Sequence, residues 1–224
     1  MPVNGFLTHA QLKTPKAAAI AGIAFSLLLL LILWLLRTSI PADPLDPGAW
    51  LATDTRAVTV ALNLVPFAGV AFLWFIGVLR DRLAQLEYRF FATVFFGSGL
   101  LFLAMLFAAA AVIGAIVLVG SISTPQELMN STTFRFARAT SYIIANVYAI
   151  KMAAVFMIST STVVIRTGIA PRWIAFLGFL LALFLLMGSF FISWSFAVLP
   201  FWVFLISVYI LIDNLGGSAK ADGG

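Results

Sequence analysis

Polar and apolar positions in this chain fall into blocks rather than alternating. Six apolar stretches can be drawn, at residues 17–36, 57–79, about 91–118, 139–165, 173 to about 193, and about 196–212. A helix needs about 20 residues, at 1.5 Å rise each, to cross roughly 30 Å of hydrocarbon. Each block therefore predicts a membrane-crossing helix, the sixth a short one. The last two share one long apolar run. We divide it at Ser193-Trp194-Ser195 and Pro200, where turn-forming and helix-starting residues cluster. The fold class that follows is all-α: a polytopic membrane helix bundle of six transmembrane helices over residues 1–215. Residues 216–224 are rich in Gly, Ser and Ala, which predicts a flexible C-terminal tail.

The flanks set an orientation. With the N-terminus inside, the cytoplasmic flanks hold Lys13, Lys16, Arg80, Arg82, Arg89, Arg166, Arg172 and Lys220, and the outer ones only Arg37, Arg56, Arg135 and Arg138. Inverting the chain reverses this bias, so both termini are expected in the cytoplasm. The first stretch is longer than a signal-peptide core, and no small-x-small cleavage site follows it, so it is expected to stay as an anchor helix. Trp34, Trp173, Trp194 and Trp202 lie near expected span ends and predict an interfacial aromatic belt. In the first outer loop, Asp46 followed by Pro47 suits a helix start. Residues 47–55 are expected to form an interfacial turn with Trp50 in the headgroups.

Composition narrows the class further. The chain is 63% hydrophobic and 9% charged, with a mean hydropathy of +1.12, against about 25% charged residues in soluble domains. Its solvent is lipid, and the expected location is multi-pass in the cell membrane. The formal charge of +5 is spread over short flanks, so it does not imply a nucleic-acid partner. Cysteine is absent and the one histidine, His9, lies in a flank. No metal or cofactor is implied.

Chemistry is sparse, and Lys151 is its main clue. It stands near the centre of the uncharged stretch 139–165, and no Asp or Glu lies within any apolar stretch. A charge at that depth costs roughly 3 kcal/mol on insertion scales. Thr140, Tyr148, Lys151 and Thr162 recur at helical spacing and predict an interior-facing polar stripe. The serines and threonines by themselves suit bonding back to their own helix. Pro66 frees the Leu62 carbonyl beside Asn63, so a buried node of Lys151, Tyr148, Asn63 and that carbonyl is a candidate site. In the third stretch, Gly97, Ala104, Ala108, Ala111 and Ala115 share a face. That stripe predicts either close helix packing within the chain or a seam between copies.

No Ser/His/Asp set, paired intramembrane carboxylates or phosphate-cradling glycine loop can be assembled. The Ile169-Ala170-Pro171-Arg172-Trp173 segment, continuing to Gly178, resembles the start of the fifth span in a bacterial family of six-span membrane proteins of unknown function. Residues 16–22 are similar to that family's opening. The resemblance implies the same architecture and brings no active site. The expected role is that of a non-enzymatic accessory or interaction subunit, whose partner is another membrane protein or a further copy of itself. The alternative is a small-solute or ion transporter built around Lys151.

Overall fold

A computed structural model describes residues 4–52, 55–84, 89–188 and 194–221, all helical or irregular with no strand among them. The helices are α1 (Asn4–Ser39), α2 (Arg56–Ala84), α3 (Arg89–Gly120), α4 (Pro125–Asn130), α5 (Thr132–Ile143), α6 (Ile150–Thr167), α7 (Arg172–Gly188) and α8 (Val198–Ala221). A π-helical turn, Ile144–Ala149, fuses α5 and α6 into one rod. Five helices are long and apolar enough to cross a membrane, and α7 is a shorter apolar one. Their outward faces carry Leu27, Phe67, Trp74, Leu101, Leu180 and Phe201, a surface that only a lipid solvent tolerates.

Helix α1 packs between α2 and α8, while α3 joins α2 to the α5–α6 rod, against which α7 lies. Phe72 is the hub of the core. Its ring lies 4.5 Å from that of Phe25, 5.5 Å from Phe102 and 5.3 Å from Phe156. Phe156 also meets Phe95, and Phe102 meets Phe196. Two glycines let backbones approach. A Cβ on Gly22 would strike Ser207, and one on Gly178 would strike Ser161 and Trp202. Small residues of this kind take the place of a hydrophobic driving force between helices in lipid.

The hairpin of α7 and α8 is shallow. Helix α8 begins beside Phe196, at the level of Phe102, roughly 27 Å short of the α3 terminus at Gly120. Trp202 then meets the first turn of α7, donating from its indole N–H to the Ile174 carbonyl at 3.3 Å. Trp202 is 0% exposed, so it belongs to the core rather than to an aromatic belt. Trp34, Trp173 and Trp194 are exposed. The expected break at Ser193–Ser195 lies partly outside the described residues. Helix α8 continues to Ala221, past the tail boundary expected at Gly216.

The far end of the bundle, called outer after the expected orientation, is capped. Ile40, Trp50, Leu51, Val58, Ile116, Leu128 and Phe134 form a second apolar cluster there. Trp50 is buried in it, within a short 3-10 turn Ala49–Ala52, rather than lying in headgroups. The reason is Gly48. Its φ of 93° turns the chain inward, and the Phe134 ring packs where a Cβ would stand. Asp46 does not cap a long helical turn. Its Oδ1 accepts from the Gly48 N–H at 2.8 Å and tightens the bend. Helix α4 starts with a Thr124–Glu127 capping box and Pro125, and Ser131 caps α5.

Candidate functional site

Beneath this cap lies a half-open cavity of about 130 Å³, lined by α1, α2, α3, α5 and Phe196. Its lower wall is apolar, with Leu29, Ile32, Leu62, Val65 and Leu106 above the Phe196 floor. Its polar lining comes from Arg37 and Arg138 at the upper end and from Ser141, Tyr142 and Asn146 down the α5 side, Asn146 roughly 12 Å below Arg138. The α5 contributors recur at helical spacing, so one face of the rod lines the shaft. Asn146 donates from Nδ2 to the Tyr142 carbonyl at 3.1 Å, across the entry to the π turn. A π turn adds a residue to the helical circuit and re-aims the faces on either side. Above it the rod faces the cavity; below it Ile150, Ala153, Ala154 and Met157 enter the core.

Arg138 is the structural keystone of the upper wall. It is 6% exposed, and its Nη2 donates to the carbonyls of Pro41 at 3.1 Å and Asp43 at 3.2 Å. The first outer loop is thereby tied to α5. The carboxylates of Asp46 and Asp43 and the guanidinium of Arg37 all lie within electrostatic reach of Arg138. Asp43 Oδ1 accepts from the Leu45 N–H at 2.8 Å, so it also shapes the loop. Arg138 Nε is buried with no hydrogen-bond partner among the described residues. The sequence reading treated Arg138 only as a topological charge and missed this role.

Lys151 lies roughly 20 Å further along the rod from Arg138. Its ammonium donates to the Leu185 carbonyl at 3.1 Å and to the Leu186 carbonyl. Both carbonyls belong to the last turn of α7, where intrahelical partners run out and the helix dipole is negative. Leu185 is buried, and Lys151 and Leu186 are half-buried. The end of α7 thus gives Lys151 a neutral but electronegative partner in place of a carboxylate.

The node expected from Pro66 is not assembled. Asn63 and Pro66 are exposed on α2, and Tyr148 is 57% exposed. Leu62 instead lines the cavity with Asn146. Thr140 is half-buried, and Thr162 bonds back to the Ile158 carbonyl at 2.9 Å. Ser159 and Thr160 bond back in the same way, so the polar stripe does not converge on Lys151. The α3 stripe also turns outward. Ala104, Ala111 and Ala115 are exposed, Gly97 and Ala108 are half-buried, and a Cβ at Gly97 would meet nothing. The face that packs within the chain is instead Phe95, Ser98, Gly99, Phe102, Leu106 and Ala109.

Among the described residues no three His, Cys, Asp or Glu side chains converge as a metal site. Comparison with protein-family models, with curated proteins and with solved structures gives no match.

Proposed function

We propose that this chain is a six-span, non-catalytic protein of the cell membrane, with both ends in the cytoplasm, that acts as an accessory subunit by holding a companion within the bilayer. The observation that carries this reading is the pairing of Lys151 with the Leu185 and Leu186 carbonyls. A transporter built on an intramembrane lysine needs its ammonium to meet solute or water and to let go again. Here the ammonium seals a helix end, and withdrawing it leaves buried carbonyls unmet. The resemblance of residues 166–178 to six-span proteins supports the same architecture.

The test exploits the absence of native cysteine. A Lys151→Cys variant, reconstituted in vesicles, is exposed to a small impermeant methanethiosulfonate reagent from each side. The expected result is protection from both. Rapid labelling of a folded variant from either side would overturn the reading in favour of a water-accessible conduction path.

A further inference from the structure

We infer that the cavity under the outer cap binds a single-chain anionic amphiphile, with its carboxylate or phosphate at Arg37 and Arg138 and its chain running down to Phe196. The inference rests on the reading above only in taking the role of the chain to be binding rather than conduction.

Three features select this chemistry. The first is the gradient along the shaft. Arg37 and Arg138 stand at the top, while Leu29, Leu106 and Phe196 stand at the bottom, with Asn146 the polar group at that depth. From Arg37 to Leu29 is roughly 12 Å along α1. The volume of about 130 Å³ is close to that of an engineered apolar cavity of about 150 Å³ that takes benzene. A narrow, half-open shaft of this size holds about six carbons of one chain, leaves the rest of a longer chain at its open side, and has no room for the paired chains of a diacyl lipid.

The second is Arg138. Its Nη2 is committed to the loop carbonyls, yet Nε is buried without a partner. A buried donor left unmet is costly, and an oxyanion would accept a charge-assisted bond from Nε. The third is the placement of the acidic groups. Asp43 and Asp46 each spend an oxygen on loop N–H groups and hold the turn that roofs the cavity. Their charges also offset the mutual repulsion of Arg37 and Arg138. A chain without an acceptor would leave Arg138 Nε unmet, a neutral hydroxyl would meet it without answering its charge, a cationic chain would face two guanidinium groups, and a small free anion would leave the shaft unfilled. An anionic amphiphile satisfies all of these conditions.

The experiment uses the full chain in neutral detergent and reads its melting temperature. Laurate, dodecyl phosphate, dodecanol, dodecyltrimethylammonium and inorganic phosphate are titrated separately. Laurate or dodecyl phosphate is expected to raise the melting temperature saturably, and the stronger of the two identifies the headgroup as carboxylate or phosphate. The other three are expected to leave it unchanged. Arg37→Gln should weaken the effective probe at least roughly tenfold. Ala109→Leu, which fills the shaft without touching the arginines, should abolish the shift in a folded protein. An equal shift with dodecanol or inorganic phosphate overturns the inference. So does no shift with either anion, or a shift unaffected by Ala109→Leu. These outcomes are separate from cysteine labelling at position 151, which alone decides between binding and conduction.

Discussion

The Lys151 ammonium donates to the Leu185 carbonyl at 3.1 Å, joining the middle of the α5–α6 rod to the end of α7. This pairing makes Lys151 a cap for α7. Lys151→Met keeps the length and removes the desolvation penalty, but it strands the Leu185 and Leu186 carbonyls. The expected net effect is a loss of about 1–3 kcal/mol, the usual cost of an unmet buried polar group. Reversible unfolding in mixed micelles measures it. A Lys151→Met protein at least as stable as the parent would show that the ammonium contributes no capping.

Arg138 ties the first outer loop to α5 through Pro41 and Asp43. Arg138→Leu is expected to free residues 41–48 while leaving the α1–α2 contact intact. Hydrogen exchange should rise in that loop by a factor of ten or more, corresponding to about 1.4 kcal/mol of local protection. Unchanged exchange there would mean that Gly48 and Trp50 hold the loop without the arginine.

The glycines at helix crossings should be intolerant. Gly178→Ala places a Cβ against Ser161 and Trp202, and Gly22→Ala places one against Ser207. Each is expected to cost about 1–3 kcal/mol, the range for overpacking. Ala104→Leu on the outward face of α3 should leave the thermal midpoint of the single chain unchanged. A shift in particle size with Ala104→Leu would identify the α3 stripe as a seam between copies.

Ser161 and Ser207 have buried hydroxyls with no hydrogen-bond partner among the described residues. Removing an unmet polar group is favourable, so Ser161→Ala and Ser207→Ala should be neutral or stabilising by up to about 1 kcal/mol. Thermal midpoints decide this, and a clear loss in either variant would reveal a hidden partner. Ser207→Ala should also soften the penalty of Gly22→Ala, because it removes the oxygen that the new Cβ meets.

The orientation is checked by single cysteines. Cysteine at Ala42 or Thr132 should react with an impermeant reagent added to intact cells, and cysteine at Ala84 or Ala219 should not. The reverse pattern would invert the topology.

The helices were legible because lipid leaves backbone groups only each other for partners, so the length of an apolar run reports directly on a span. Local signals were legible in principle as well. Thr124-Pro125-Gln126-Glu127 is a capping box with proline at its first position, yet the span assignment passed over α4 and began the fourth span at residue 139, inside α5. The site was much less legible, for a physical reason in each case. Arg138 reaches carbonyls far away in sequence, and carbonyls have no side-chain signature. Lys151 pairs with a helix end whose depth depends on where α7 stops. Gly22 and Gly178 each act at a single crossing, so neither belongs to a repeating stripe. Trp202 lies near the start of α8, but α8 itself starts deep, which carries the ring into the core.

The span between Arg138 and Pro41, 97 positions apart, has a consequence for biosynthesis. The loop at residues 41–48 emerges early, while its clamp is made only after two further long helices. Until then the loop carbonyls can only be hydrated. The outer cap is therefore a late event of insertion, and nascent chains halted before residue 138 should expose residues 41–48 to protease from the outer side.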